Sequence, residues 1–294
     1  MNSMMTRNDL KPPVTRSEHH SIVKVITGLL LPILFLTLSL VHRVQAVPGD
    51  LDISFSGDGK VTTDFKSGSG DIARAVTIQN NAKIVVAGIS DENGFFDFAL
   101  ARYNLSGSSD TIFSNNGIVT TNFGVNRDSF DDAFTVAIQN NGRIVAAGKS
   151  DAGGSFDFAL ARYEEDGDLD PTFGVGGKVI TDFGTLVDNL DEAFALAIQS
   201  DGKILVTGRS KEQIQLGGDS SAVLARYETN GDLDPAFGIN GRVRTNFGAF
   251  DRAKAIAIQP DAKIVVAGDS NDNANPEFVV ERYNSDGSRD LRKL

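Results

Sequence analysis

The chain has no cysteine and no tryptophan among its 294 residues, and only three histidines and three methionines. His19, His20 and His42 all fall within residues 1–46, as do the methionines. The remainder therefore excludes disulfides, zinc or iron ligation by His or Cys, a Cys nucleophile and a Ser-His-Asp triad. Positive charge is also scarce. Beyond residue 46 there are 23 Lys and Arg against 37 Asp and Glu, a net of −14. That balance argues against unaided binding to nucleic acid or to anionic lipid. Carboxylates, hydroxyls, amides and the backbone are what remain for any chemistry.

What is present falls into two unlike parts. Arg7, Lys11, Arg16 and Lys24 precede an uncharged apolar run from Val25 to Val41. His42-Arg43-Val44-Gln45-Ala46 follows, with Val44 and Ala46 where a signal peptidase reads small residues. Residues 1–46 are expected to be a signal peptide cleaved after Ala46, leaving 47–294 secreted, periplasmic or at the cell surface. A run of 17 residues is also at the short end of a bilayer span, so an N-terminal membrane anchor is the alternative. No other membrane association is expected.

Residues 47–294 repeat one unit four times, with approximate bounds 47–104, 105–164, 165–228 and 229–294. Ala75-Val76-Thr77-Ile78-Gln79 returns as segments ending at Gln139, Gln199 and Gln259. Ile84-Val85-Val86-Ala87-Gly88 returns ending at Gly148, Gly208 and Gly268, and all four tyrosines (Tyr103, Tyr163, Tyr227, Tyr283) share one repeat position. The repeated segments are five to seven residues long, rich in Val, Ile, Thr, Phe and Tyr, and bounded by Gly, Asn, Asp or Ser. That is strand composition with turn punctuation, and no stretch sustains a helical period. Asn140-Asn141-Gly142 and Ser200-Asp201-Gly202 read as tight hairpin turns with Gly at a positive φ. Ala82 and Ala262 hold that place in the other two copies. Four short antiparallel strands every ~60 residues is the pattern of a β-propeller blade.

The string Ala-Ile-Gln-x-Asp/Asn-Gly-Lys/Arg-Ile-Val-x-Ala-Gly, then Leu-Ala-Arg-Tyr, then Gly-Asp-Leu-Asp-Pro-x-Phe-Gly, resembles the bacterial delta-60 repeat family. The resemblance spans nearly all of 49–290 in four copies. It implies a propeller fold and carries no catalytic residues; the blade text is also loosely similar to NHL-type propellers, which implies that the Gln-marked hairpin is innermost. In that phase the strands run A (75–79 type), B (84–88 type), C (98–103 type) and D (60–65 type). The chain then opens on a D strand, Gly59–Phe65, and ends on a C strand, Phe278–Tyr283. The expected architecture is an all-β, four-bladed propeller closed by the N-terminal strand joining the last blade. The alternative is an open arc completed by dimerisation, so monomer and homodimer both remain open. The tail from Ser288 begins like another connector and then departs from it, which leaves a natural C-terminus in question.

Loop lengths locate a working surface. Gln to Gly is nine residues in every copy, whereas Phe65 to Gln79 is 14 and its later counterparts are 16, 16 and 12. Gly88 to Tyr103 is 15, with counterparts of 15, 19 and 15. Variation is thus confined to the D–A and B–C connections, which leave one side of an up-and-down blade; length variation on one face of a repeat array points to its binding side. Those loops hold twelve Asp or Glu against Lys66, Arg127 and Lys211. The candidate binding residues are Asp91, Glu92, Asp128, Asp151, Asp188, Asp191, Asp219, Asp251 and Asp272. Solubility alone also calls for charge on loops. Asp166-Gly167-Asp168-Leu169-Asp170 imitates the start of a calcium loop but lacks its later ligands, so it reads as a structural turn. Calcium is a weak expectation on the acidic face, and no other cofactor is implied. Arg102, Arg162, Arg226 and Arg282 are expected to pair within their blades, for example with Asp64 or Asp182. The functional reading is a non-enzymatic exported binding or scaffold module for an unidentified protein or glycan. A carboxylate-dependent carbohydrate-active enzyme on the same face is the alternative.

Overall fold

The computed structural model describes residues 49–92, 94–125, 129–184, 189–212, 219–248, 251–271 and 275–291. Residues 1–46, expected to be the signal, lie outside these. Fifteen strands form four antiparallel sheets in chain order. The first holds β1 (Asp71–Ile78), β2 (Ile84–Ser90), β3 (Asp97–Tyr103) and β4 (Ile118–Thr121). The second holds β5 (Asp131–Ile138), β6 (Ile144–Ser150), β7 (Asp157–Tyr163) and β8 (Lys178–Thr181). The third holds β9 (Asn189–Ile198), β10 (Ile204–Glu212), β11 (Ser220–Tyr227) and β12 (Arg242–Thr245). The fourth has three strands only: β13 (Arg252–Ile258), β14 (Ile264–Asn271) and β15 (Pro276–Tyr283). Among the described residues no helix is long and apolar enough to cross a membrane.

The recurring Gly of each B strand has a steric cause. The inner strand carries a bulge opposite it, at Arg74, Phe134 and Lys254 in three blades and at Phe194 in the other. The bulge drives a carbonyl towards the glycine: a Cβ on Gly148 stands 1.8 Å from the Asp132 oxygen, and one on Gly88 stands 1.9 Å from that of Ile72. Bulges re-aim side chains. Here they bring Phe134 and Phe194 to 5.8 Å and set the Arg74 guanidinium over the Phe134 ring at 5.7 Å. The recurring Gln stitches neighbouring hairpins, since Gln79 Nε2 donates to the Gly142 carbonyl at 3.2 Å and Gln139 Nε2 to that of Gly202 at 3.3 Å.

Each blade packs one sheet face on the next. Val85, Phe98 and Leu100 of blade 1 meet Ala133, Ile144 and Tyr163 of blade 2. Val145, Phe158 and Leu160 then meet Ala193, Ile204 and Tyr227. Leu205, Leu224 and Phe237 meet Ala253, Ile264 and Tyr283. The tyrosine position ties each sheet to the outer strand before it: Tyr163 Oη donates to Thr121 Oγ1 at 2.8 Å and Tyr227 Oη to Thr181 Oγ1 at 2.9 Å.

Residues 51–65 take the same place beside blade 1. Thr63 Oγ1 and Tyr103 Oη share a hydrogen bond of 2.5 Å, and Ser56 N donates to the Ser106 carbonyl at 2.7 Å, as Ser114 N does to Asp166. The expected first strand, Gly59–Phe65, nevertheless joins no sheet among the described residues, because nothing on its free side supplies a ladder partner. β15 likewise has no fourth strand beside it.

Candidate functional site

The D–A and B–C connections come together on one side of the blades. Their contacts repeat: Asp131 N donates to the Phe96 carbonyl at 2.7 Å, Asp191 N to that of Phe156 at 2.6 Å and Asp251 N to that of Ser220 at 3.0 Å. The hairpin turns and C–D connectors gather elsewhere, joined for instance by Asn81 Nδ2 donating to Glu165 Oε1 at 3.2 Å. The variable loops therefore form one surface, as their lengths imply.

A recurring Asp at the start of each inner strand pins this surface. Asp71, Asp131, Asp191 and Asp251 accept from the backbone N–H of Phe65, Phe123, Phe183 and Phe247 at 3.0, 2.9, 2.7 and 2.6 Å. A carboxylate taken out of water needs such donors. Burial pushes the Asp131 carboxyl up to about 6, although Ser150, the Phe123 amide and Ser129 favour its charge. Burial pushes Asp191 up to about 6 in the same way.

The candidate residues divide by position. Asp191 and Asp251 are fully buried loop fasteners. Asp91 Oδ1 accepts from Gly70 N at 2.6 Å and Asp151 Oδ1 from Phe130 N at 2.7 Å, so both tie one loop to the next. Glu92 Oε1 accepts from Thr120 Oγ1 at 2.5 Å. Asp219 is exposed. Asp128, Asp188 and Asp272 lie outside the described residues. Among the described residues, no three of these candidates bring carboxylate oxygens together.

The structure adds residues that the sequence reading passed over. Phe96, Phe130 and Phe156, all half-buried, form a row with ring centroids 5.2 and 5.8 Å apart. Lys149 Nζ lies 4.6 Å from the Phe156 centroid and bonds Glu192 Oε1 at 2.7 Å. Beside this row Asp157, Asp182 and Asp191 bring one carboxylate oxygen each to within 4.8 Å of one another. Burial, then the charges of Asp182 and Asp191, push the Asp157 carboxyl up to about 7. One member alone leaves a trace in the sequence: Asp182 stands where the preceding repeat has Asn122.

Two expectations are settled on the opposite side of the blades. The Asp166–Asp170 segment is a turn, with Asp166 Oδ1 accepting from Asp168 N at 3.1 Å. The repeated arginines pair with the last Asp of that turn and not with Asp64 or Asp182. Arg102 Nε donates to Asp110 Oδ2, Arg162 to Asp170 and Arg226 to Asp234, each at 2.7 Å, while Arg282 reaches Asp290 at 2.9 Å. The connector folds back on its own C strand and brings that Asp within reach, whereas Asp182 lies among the variable loops. The first three arginines also donate to carbonyls of the next blade, at Glu165, Thr229 and Ser285.

Comparison with known proteins agrees with this repeat architecture. No curated protein sequence matches the chain. Among solved structures, a provisionally assigned gluconolactonase shows 12% identity and a TM-score of 0.39, with 74% of this chain and 61% of that one covered. The polysaccharide lyase Uly1 shows 13% identity and a TM-score of 0.36, covering 73% and 46%. A GH43_12 protein from a capybara gut metagenome shows 12% and 0.36, covering 72% and 40%. The chain thus spans less than two thirds of each of these proteins. Likeness at this level carries no activity to this chain. Residues 79–113, 139–173, 199–237 and 259–292 match the family model described as a domain of unknown function (DUF5122) beta-propeller, and the chain is a β-propeller repeat protein.

Proposed function

We propose that the chain is an exported, non-enzymatic binding or scaffold module whose working surface is the face built by the D–A and B–C loops. The observation that carries this reading is the division of labour on that face. Each blade commits one carboxylate oxygen, on Asp71, Asp131, Asp191 or Asp251, to holding a loop, while loop length, the half-buried row of Phe96, Phe130 and Phe156 and the exposed Asp219 vary from blade to blade. Flat aromatic rings beside acceptors suit a glycan or a basic protein segment. A glycan array run with a calcium-chelation control, beside a hydrolase and lyase screen, tests the reading: binding without turnover is expected, and turnover would overturn it.

One observation favours the enzyme reading. A carboxyl held protonated near neutrality beside a second carboxylate is the arrangement of a glycosidase acid and its partner, and Asp157 has that character. Against it, Asp157 and Asp191 are 4% and 0% exposed, so a glycosidic oxygen has no approach to them.

The two ends of the blade array are read as closing on each other, either with 59–65 as the outer strand of the last blade or through a second copy. Support comes from the apolar faces left at both ends, with Phe278 fully exposed on one and a cavity of about 550 Å3 at the other.

A further inference from the structure

We propose that Asp157, Asp182 and Asp191, at the junction of blades 2 and 3, form a calcium site. Asp157 opens β7, Asp182 follows β8 and Asp191 lies on β9, so the ligands are set by three strands of two adjoining sheets. Their nearest carboxylate oxygens lie within 4.8 Å of one another. Oxygens bound to one calcium ion at about 2.3–2.6 Å can stand up to about 5 Å apart, whereas magnesium, with bonds near 2.1 Å, draws its ligands within about 4.2 Å.

A cluster of acids alone could be a solvated patch. Here two of the three are more than nine-tenths buried, and each keeps an oxygen without any hydrogen-bond partner, Asp157 Oδ1 and Asp191 Oδ1. Asp191 already uses Oδ2 on the Phe183 amide, which leaves Oδ1 to a ligand. Asn189 is buried beside them: its Nδ2 donates to Asp182 Oδ1 at 2.6 Å and its own Oδ1 is unpartnered. Buried, unpartnered oxygens cost folding free energy, and a bound cation supplies what they lack. Asp182 is exposed, so water can complete the coordination shell from that side.

The chain contains its own control. At the junction of blades 1 and 2 the same three positions hold Asp97, Asn122 and Asp131, matched by register through Phe98↔Thr121 and Phe158↔Thr181. There the Asn122 amide donates to Asp97 Oδ1 at 2.6 Å, whereas Asp157 Oδ1 has no such donor; Asp131 Oδ1 is unpartnered at that junction as Asp191 Oδ1 is at this one. At the junction of blades 3 and 4 the positions hold Ser221, Asn246 and Asp251. One change, Asn to Asp at 182, turns a two-carboxylate junction into a three-carboxylate one.

The test uses the full chain, freed of metal by chelation and dialysis, titrated with calcium chloride by calorimetry and by thermal melting. The expected result is one calcium ion per chain and a rise of several degrees in melting temperature at millimolar calcium, with a response to magnesium at least tenfold weaker. Asp182→Asn restores the residue of the preceding junction. It is expected to fold, to melt in chelator no lower than the parent, and to lose the calcium response. Asp97→Asn, at the other junction, is expected to keep it. A parent chain that ignores calcium, an equal response to magnesium, or an Asp182→Asn chain that still responds would each overturn the assignment.

Discussion

Arg162 shows what a residue repeated in every blade does. Its guanidinium is 4.5 Å from the Phe173 centroid, donates to Asp170 at 2.7 Å and reaches across to the Thr229 carbonyl of the next blade. Both partners of the ion pair are buried, at 3% and 0% side-chain exposure. Removing one member of a buried pair costs about 3–5 kcal/mol, and the low end applies here because Asp170 keeps Arg143 at 3.3 Å and Thr172 Oγ1 at 2.6 Å. Arg162→Ala should lower the urea-unfolding free energy by about that amount. Arg282→Ala should lower it by about 1 kcal/mol at most, because its side chain is 25% exposed in the last blade. Equal losses at both positions would show that contacts across blades are unimportant. Protons supply a second test. Asp131 rises to about 6 on folding, so the folded state binds a proton more readily than the unfolded chain. Its contribution is fully present below about pH 4, the unfolded value, and declines as pH rises through about 6. Asp234 behaves oppositely. Burial opposes its charge, but Lys203, the Ala236 amide and Arg226 hold it down to about 2, so its contribution is present above about pH 4 and lost below. Urea midpoints in chelator should therefore peak near pH 4 and fall as pH rises towards 6, and Asp131→Asn should flatten that fall. The arginines were legible as structural from their repetition; their partners were not, because only the folded connector reveals which Asp comes back to them.

At the scale of the element, hairpins and bulges follow from small residues at fixed places. Gly142 and Gly202 sit at φ of 87° and 86°, and Ala82 and Ala262, in the same turn, sit at 63°. The turn keeps its shape with a Cβ present, so alanine bears the left-handed strain of roughly 1 kcal/mol. Ala82→Gly and Ala262→Gly should each raise stability by about 0.5–1 kcal/mol, read from equilibrium unfolding; a loss would show that the alanine methyl contributes packing that outweighs the strain. Gly148→Ala should do the reverse, by 3 kcal/mol or more, since its Cβ meets a carbonyl that the bulge fixes 1.8 Å away. The strand segments and their order were readable from alternation, punctuation and the 60-residue period. The bulge was not, because it shows in sequence only as one glycine per blade whose partner lies across the ladder. The aromatic row and the carboxylate cluster were hidden for a related reason: each draws on two or three connections, and only sheet packing brings them together.

At the scale of the molecule the question is what becomes of the two end faces. Three junctions show the same interface, in which the Val85, Phe98 and Leu100 positions of one blade cover the Ala133, Ile144 and Tyr163 positions of the next. The fourth blade presents the first set again, as Val265, Phe278 and Val280, with Phe278 fully exposed and Val280 68% exposed. Blade 1 presents the second set, as Ala73, Ile84 and Tyr103, lining the 550 Å3 cavity that residues 55–65 partly roof. Each end is thus complementary to the other by repetition, and the contact between them is of the head-to-tail kind that closes into a ring. Closure within one chain and pairing of two chains into an eight-bladed ring bury the same faces and remove the same open edges. Both give Phe278→Asp a large effect: a carboxylate replacing a ring that loses ~100 Å2 or more of exposed surface should cost about 3 kcal/mol. On a bare surface the same change moves stability by less than about 0.5 kcal/mol. Light scattering then separates the two routes, since Phe278→Asp halves the mass of a two-chain ring and leaves that of a one-chain ring unchanged. Deleting residues 47–66 should strip the roof from the blade 1 face and cause aggregation through it. A Phe278→Asp protein that melts with the parent, at the parent's mass, would show that the ends stay apart.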